Sequence, residues 1–370
     1  MVERSRYDPR KPPTRLQSAL IHPLIYQTIR AGMAPINIAG LGPSATVARS
    51  LGRTFGSMPF NKKRVTRAAD RLAVAFPGMD APARHDLVLQ SYEHLAELAV
   101  EFALAPRLLN EDAWVDYIEL GDIGVVIKEL TREGPVILIT GHCGNWEIVG
   151  YALALLGFPM HALYRPLDVL PMDRFVRRTR ERRGLMLMDK FGAIQELPEV
   201  MDRGESVGFV ADQNAGERGV FVPFFNRLAS TYKTIGLLGL KYRCPVLVGQ
   251  ARRLPPVPGK PRTLHHRLEV VDVIRPEDWE GQPDPLFYLT ARYRRGIEQM
   301  VRASPEQYLW MHRIWKSRPR HERLDKPFPP ALREKLAQLP WMSEADVDAI
   351  VDRSDQDRAW LKDTGATRLL

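Results

Sequence analysis

Residues 135–147 read PVILITGHCGNWE and contain the clearest strand signal in the chain. The first six residues, Pro135 to Thr140, form a short apolar run rich in β-branched side chains, which is typical of a strand buried on both faces. The glycines that follow permit a sharp turn, and the residues after them resume helical spacing. A buried strand, a tight turn and a helix in this order predict the first unit of a parallel sheet.

The same alternation continues toward the C-terminus. Apolar segments predict strands at 160–164, 185–188, 206–211, 219–224, 246–250 and 265–273. Helical spacing lies between most of them, at 146–156, 172–183, 194–203 and 231–243. The Pro-rich segment 254–262 is interpreted as a loop. Strands alternating with helices of this length predict an α/β layered fold around a central, mostly parallel sheet flanked by helices.

Composition limits the class of protein and its partners. The chain has 370 residues, of which 45% are hydrophobic and 26% charged, so disorder, collagen-like repeats and a polytopic membrane protein are disfavoured. The net charge of +9 favours anionic partners: nucleic acid, phospholipid head groups or an acidic protein. The two cysteines, Cys143 and Cys244, are too few for a disulfide framework. They suit a reducing compartment, so the chain is expected to face the cytoplasm.

The N-terminal region has an interrupted apolar patch. His22 and Pro23 break the run from Leu16 to Tyr26, so neither a spanning helix nor a secretory signal is predicted. One interpretation is a helix capping the core. The other is a segment lying at a membrane interface, with apolar side chains in lipid (Leu20, Ile21, Leu24, Ile25, Tyr26 and Ile29) and cations on head groups (Lys11, Arg15 and Arg30).

These patterns divide the chain into three parts. Residues 1–60 are assigned to the N-terminal membrane-interface segment. Residues 61–320 form one main domain, which opens with an all-helical leader at 61–110. Residues 321–370 are assigned to a polar C-terminal tail with a short helix or two and a frayed end.

The candidate chemistry lies where the first strand ends. His142 follows that strand, at the edge of the sheet where open α/β folds bind ligands, and an imidazole can accept a proton near neutral pH. A carboxylate would hold one ring nitrogen protonated and leave the other free as a base, with the nucleophile supplied by the substrate. Glu147, in the first turn of the next helix, and Asp212, at the end of the strand 206–211, are both candidates for this orienting role.

The same residues also allow a purely structural role for Glu147 and two other kinds of chemistry. Glu147 also suits the N-terminal end of a helix without any catalysis. Cys143 beside His142 is a weaker candidate nucleophile, because adjacent side chains leaving a turn rarely face each other. The set His142, Cys143, Glu147 and His161 lacks familiar zinc-ligand spacing, so no metal is predicted.

A series of motifs spans most of the chain in a fixed order. The motifs are GHCGNWE at 141–147, YRP at 164–166, ADQ at 211–213, VFVPFF at 220–225, and PEQYLW at 305–310 followed by His312 and Arg313, after an AFP element at 75–77. From Arg64 to Pro319 the sequence resembles the late acyltransferases of lipid A biosynthesis, the lauroyl- and myristoyl-transferases. The resemblance implies a glycerol-3-phosphate acyltransferase-like fold. It also implies an acyltransferase that moves a fatty acyl chain from acyl carrier protein to a hydroxyl of a glycolipid.

The resemblance also implies roles for individual residues. His142 would be the general base, and Glu147 is the family's orienting carboxylate, with Asp212 kept as the alternative. Arg165 would meet the acceptor's phosphate or the reaction's oxyanion. Asn145 and Gln213 would contact substrate, while Phe224 and Phe225 would either line an acyl trough or fill the core. No cofactor is expected, since the acyl donor, acyl carrier protein or acyl-CoA, is itself a substrate.

A basic helix suggests where partners dock. Arg174, Arg177, Arg178 and Arg182 share one helical face, which would meet acidic acyl carrier protein, the acceptor's phosphates or anionic lipid, unless it is simply a solvated face. The expected location is the cytoplasmic face of the inner membrane, with peripheral or weak anchoring.

Three other functions stay open on sequence grounds. The first is acylation of another acceptor, such as a phosphoinositide mannoside or an ornithine lipid. The second is a thioester hydrolase, because the same base could activate water. The third is a non-catalytic basic protein that binds nucleic acid or anionic membrane, although no nucleic-acid module is visible and no nucleic-acid partner is expected.

Overall fold

A computed structural model describes residues 20–182, 184–189, 192–256 and 264–369. The predicted membrane contacts Lys11 and Arg15, the rest of the segment before residue 20, and residues 257–262 of the predicted loop lie outside this range. The helices, strands and contacts named from here on lie within these residues.

The N-terminal part of the described chain is helical, which confirms the predicted leader. Its helices are α1 (His22–Ala39), α2 (Leu41–Ser57), α3 (Lys62–Ala75) and α4 (Ala81–Leu108). Asp80 caps α4 by accepting a hydrogen bond from the Ala83 amide at 2.7 Å. Among the helices of the described residues, none combines the length and the apolar character needed to cross a bilayer.

Seven strands form a central sheet, and two more form a separate hairpin. The sheet has the order β1-β9-β8-β2-β5-β3-β4, and every neighbouring pair is parallel except β8 with β9. The strands are β1 (Ile118–Leu120), β2 (Ile137–Thr140), β3 (His161–Tyr164), β4 (Met186–Asp189), β5 (Val207–Val210), β6 (Val220–Pro223), β7 (Leu228–Thr231), β8 (Val246–Arg253) and β9 (His266–Ile274). The mostly parallel sheet is confirmed, whereas the predicted strand at 219–224 belongs to the antiparallel β6–β7 hairpin.

Helices cover both faces of the sheet. They are α5 (Gly124–Leu130), α6 (Trp146–Leu155), α7 (Leu170–Glu181), α8 (Ala193–Asp202), α9 (Lys233–Tyr242), α10 (Pro276–Glu280) and α11 (Pro285–Ala303). Alternate residues of β2 enter different cores: Ile137 and Ile139 join the main cluster, while Leu138 joins a second cluster. Burial of each such side chain contributes about 1.5–3 kcal/mol. The run PVILIT therefore forms a central strand that is buried on both faces.

The register of this sheet places the candidate chemistry. Strand β2 lies between β5 and β8, and Thr140 is paired with Val210 across β2 and β5. The chain therefore leaves both strands at the same edge, where His142 and Asp212 each lie two residues past that pair.

Most of residues 321–369 form helices, which makes the predicted frayed tail wrong for most of its described residues. They form α12 (Arg320–Arg323), α13 (Pro330–Ala337) and α14 (Glu344–Thr364), which starts at a capping box between Ser343 and Asp346. Buried Arg318 donates to Glu322 at 2.6 Å and lies 2.8 Å from Asp357 of α14. This buried ion pair and the apolar face of α14 attach the C-terminal helices to the main domain.

Candidate active site

The turn after β2 is fixed by backbone hydrogen bonds to distant segments. The Gly144 amide donates to the carbonyl of Gln307 at 3.1 Å, and the Asn145 amide donates to the carbonyl of Ala251 at 2.7 Å. The Leu309 amide donates to the carbonyl of His142 at 3.1 Å. The PEQYLW motif thus braces the turn that carries His142, which explains why the two motifs occur together.

Gly144 is required by this geometry. Its φ is +58°, and a Cβ there would lie 2.3 Å from the carbonyl oxygen of Ala251. We expect Gly144→Ala to lower the free energy of unfolding by about 2–4 kcal/mol, the sum of left-handed strain and overpacking. Urea unfolding measures this loss. Gly157→Ala is the matched control, since Gly157 has φ +91° with open space around it, and equal losses for both variants would contradict the clash.

Asn145 connects the turn to a buried ion cluster. Its side-chain oxygen accepts from the Ile148 amide at 3.1 Å and caps α6, while its amide donates to Glu101 at 2.8 Å. Glu101 in turn accepts two hydrogen bonds from Arg253, both at 2.9 Å. Asn145 is fully buried, so both ends of its side chain are used within the protein. The structure therefore places the predicted substrate contact Asn145 in a structural position.

His142 and Asp212 form a close pair at the sheet edge. The His142 Nδ1 atom lies 2.7 Å from Asp212 Oδ1. Asp212 is fully buried, and the His142 side chain is 17% exposed. Burial opposes ionisation of the Asp212 carboxyl, but His142 and then His312 outweigh it and hold the pKa of that carboxyl well below its usual range. An ionised carboxylate on Nδ1 leaves Nε2 of a neutral imidazole free to accept a proton.

Two aromatic rings enclose the His142 imidazole. The centroid of the Trp146 indole lies 4.8 Å away, and that of the His312 ring lies 4.5 Å away in an edge-to-face arrangement. His312 Nδ1 lies 3.9 Å from the second oxygen of Asp212. His312 was not predicted as a site residue, although it lies two residues after the PEQYLW motif. His142, Asp212 and His312 offer ligand atoms within 4.8 Å of one another, a set that could also hold a metal ion.

Glu147, the other candidate for orienting His142, has a different partner. Its carboxylate accepts hydrogen bonds from Arg180 of α7 at 2.8 and 2.5 Å. The Arg180 guanidinium also lies 5.3 Å from the ring centroid of Tyr164. Trp146, one residue earlier, presents its ring to His142, so the next side chain in the helix points toward α7 instead. The predicted contact between Glu147 and His142 is therefore replaced by one between Asp212 and His142.

A deep, mainly apolar cavity of about 610 Å³ begins beside His142. Apolar residues of α4, α6, β3, β5, β8 and β9 line it, including Leu98, Val149, Ala162, Phe209, Leu247 and Leu268. The predicted substrate contacts Arg165 and Gln213 line it too, together with Trp146 and Glu147. Its size falls within the usual range for pockets that bind small ligands.

Other predicted site residues lie elsewhere. Phe224 and Phe225 are buried in the main core against Trp310 and Trp315, so they fill the core and do not line this cavity. Arg174 and Arg178 are exposed on α7, and Arg177 pairs with Glu181 at 3.4 Å. The residues of α7 that line the cavity are different ones, such as Met172 and Val176.

Cys143 is not presented to this cavity. Its side chain is 1% exposed, and burial, followed by the charge of Asp212, raises the pKa of its thiol above the usual value. A buried thiol with a raised pKa is a poor nucleophile. The site therefore presents one imidazole, held by a buried carboxylate, at the mouth of an apolar cavity.

The sequence is similar to known proteins over most of its length. Residues 17–317 match the family described as bacterial lipid A biosynthesis acyltransferase. The lipid A biosynthesis palmitoleoyltransferase of Escherichia coli K12 is 28% identical over 73% of this chain and 85% of its own length. The lauroyltransferase of the same organism is 25% identical over 82% of this chain and 96% of its own length. The chain therefore belongs to the bacterial lipid A biosynthesis acyltransferase family.

Proposed function

We propose that the protein transfers a fatty acyl chain from an acyl carrier protein thioester to a hydroxyl of a lipid A precursor, with His142 as general base. The observation that carries this proposal is the His142–Asp212 pair at the mouth of the 610 Å³ apolar cavity. A hydrocarbon chain suits such a cavity because its burial removes apolar surface from water. The layered sheet and helices are consistent with a glycerol-3-phosphate acyltransferase-like fold.

The chemistry follows from the protonation states of the pair. His142 Nε2 takes the proton of the acceptor hydroxyl as its oxygen attacks the thioester carbonyl. Asp212 stabilises the imidazolium that forms. When the tetrahedral intermediate collapses, the carbon–sulfur bond breaks and His142 returns the proton to the leaving thiolate. The products are an ester and a free thiol, and no cofactor is needed.

Arg165 is the proposed partner for negative charge in this reaction. It lies at the end of β3, exposed to solvent, and lines the cavity near Gln213. A guanidinium can meet either the oxyanion of the intermediate or a phosphate of the acceptor.

We propose peripheral binding to the cytoplasmic face of the inner membrane. Leu20, Ile21, Leu24 and Ile25 are 64%, 42%, 69% and 38% exposed at the start of α1, which suits insertion at the lipid interface. Arg174, Arg177 and Arg178 of α7 are available for acidic acyl carrier protein, because other residues of the same helix line the cavity.

The test is an acyl-transfer assay with defined substrates. Labelled acyl carrier protein and acyl-CoA are offered as donors, and a lipid A precursor, a phosphoinositide mannoside and a lyso-ornithine lipid as acceptors. The proposal expects an acylated lipid A precursor from the carrier protein donor. Release of free fatty acid alone would point to a hydrolase, and product from acyl-CoA alone would overturn the proposed donor.

Ala162 offers a test of the acyl cavity. It lines the cavity on β3 and is paired with Gly208 of β5, another small residue that lines the cavity. We expect Ala162→Phe to lower the kcat/KM ratio of long to short acyl donors about tenfold, because a phenyl group displaces methylenes of the chain. Competition between two donors of different length measures the ratio. An equal loss for every donor would show that the cavity does not hold the acyl chain.

A further inference from the structure

A second large concave site lies outside the acyl cavity. This groove, of about 930 Å³, runs between α3, the loop at residues 313–316 and α14. We call it the basic groove, because eight of its eighteen lining residues are Lys or Arg and two are Asp. None of its lining residues belongs to the 610 Å³ cavity.

Most of these cations lack a carboxylate partner. In the part of the chain that the structure describes, no carboxylate oxygen lies within 4.0 Å of six of them: Lys62, Lys63, Arg67, Arg313, Lys316 and Arg353. One acidic group of the groove, Asp357, is already used by Arg227 and Arg318. The groove therefore carries a surplus of positive charge.

Arg71, in the wall of the groove, is affected both by its burial and by the positive charges around it. Burial, together with the charges of Arg313 and Arg67, lowers the pKa of Arg71 to about 10. Arg71 also donates a hydrogen bond to the Trp310 carbonyl at 3.2 Å, which fixes its position at the inner wall. Like charges held together in a concavity repel one another unless an anion neutralises them. Their arrangement indicates an anionic ligand with more than one charge.

The basic groove adjoins the reaction site through a single loop. Arg313 lines the groove, and the preceding residue, His312, packs against the ring of His142 at 4.5 Å. The chain therefore passes from the wall of the groove to the ring beside the base within one residue, although the groove and the acyl cavity share no lining residue.

An exposed apolar surface borders the other end of the groove. Val47, Leu51 and Phe55 follow one another at helical spacing on α2 and are 58%, 63% and 46% exposed. The Phe55 ring contacts that of Phe60, which lines the groove, at a centroid distance of 5.5 Å. Cations beside an exposed apolar face favour an amphipathic ligand, a lipid with an anionic head group, over an acidic protein.

Resting on the proposed function, we infer that the basic groove binds the phosphorylated sugar head group of the acceptor lipid. Guanidinium and ammonium groups suit phosphate oxygens. Trp360 of α14, 38% exposed, offers an indole face in the same groove. The acceptor would lie with its head group in the groove, its acyl chains along α2 and its reacting hydroxyl toward His142.

The C-terminal helix contributes to this site from beyond the part of the chain that matches the family. Residues 17–317 match the family, whereas Arg353, Gln356 and Trp360 of α14 follow that region and form one wall of the groove. The C-terminal segment therefore completes the head-group site, which the catalytic domain leaves open on one side.

The experiment compares phosphorylated and dephosphorylated acceptors. For Arg353→Gln we expect the KM for a lipid A precursor to rise about tenfold, because one charge-assisted hydrogen bond to the head group is lost. The kcat should change little. Arg353→Gln/Lys316→Gln should raise the KM further. With the precursor after phosphatase treatment, parent and variants should have the same raised KM. Lys362→Gln is the control, since Lys362 lies on α14 outside the groove and pairs with Asp325 at 2.8 Å.

Vesicle binding separates this inference from the proposed function. Flotation of the full chain with phosphatidylcholine vesicles, with and without the lipid A precursor, needs no catalysis. If Arg353→Gln floats more weakly than the parent only with the vesicles that contain the precursor, head-group binding in the groove is supported, even if the parent acylates no acceptor. An unchanged KM and unchanged flotation would overturn it while leaving the proposed reaction intact. A raised KM for acyl carrier protein instead would show that the groove docks a protein.

Discussion

Replacing His142 by alanine is expected to lower kcat for acyl transfer about a thousandfold, the middle of the range for a positioned general base. The substitution removes the group that takes the hydroxyl proton, and it leaves the buried Asp212 carboxylate without its 2.7 Å partner. The acyl cavity and the basic groove remain, so the KM values for donor and acceptor should change little. Initial rates with a lipid A precursor and an acyl carrier protein donor measure the effect.

A second substitution at this position separates chemistry from folding. His142→Gln keeps a polar side chain that can donate to Asp212 but cannot act as a base, so its kcat should fall about as far as that of His142→Ala. His85→Ala, which removes an exposed imidazole from α4, should retain the parent's rate. A His142→Gln protein with more than about a tenth of the parent's kcat would remove His142 from the role of base.

The strand, turn and helix at 135–147 could be predicted because local signals agree there. A β-branched apolar run, flexible glycines and resumed helical spacing each point to the same structure. The edge on which His142 lies also follows from sequence, since parallel strands end at one edge. By contrast, the spacing between the turn and Glu147 did not determine whether the Glu147 side chain points toward His142 or away from it. The phase of α6 is fixed by Gly144, whose backbone bonds reach Gln307, far away in the sequence.

Other features depend on which distant segments meet. The Phe224–Phe225 pair has the composition of an acyl trough, but the β6–β7 hairpin turns both rings into the core. The basic groove was invisible because α3, the loop at 313–316 and α14 each contribute only a few cations. The frayed tail was wrong for a different reason: Ser343 and Asp346 form a capping box, a local signal that was available in the sequence.

Asp212→Asn is expected to lower kcat about a hundredfold or more, whereas Glu147→Gln should lower it less than about tenfold. An asparagine at 212 keeps the size of the side chain but offers no negative charge to the imidazolium, and it can hold the imidazole in the wrong tautomer. Glu147 contacts Arg180 instead of His142, so its loss perturbs α7 and the cavity mouth.

The pH dependence of the same variants gives an independent check on this assignment. The pKa of Asp212 is depressed in the folded protein, so its carboxylate stays ionised even somewhat below the ordinary aspartate value of about 4. The stabilisation that this charge gives the folded state is present above that pH and is lost as the pH falls toward the depressed value. Between pH 5 and 9 the Asp212 carboxylate of the parent should therefore stay ionised, and Asp212→Asn should lower kcat across that whole range. If Glu147→Gln instead caused the larger loss of kcat with KM unchanged, the orienting role would belong to Glu147, and the turn would have to rearrange when substrate binds.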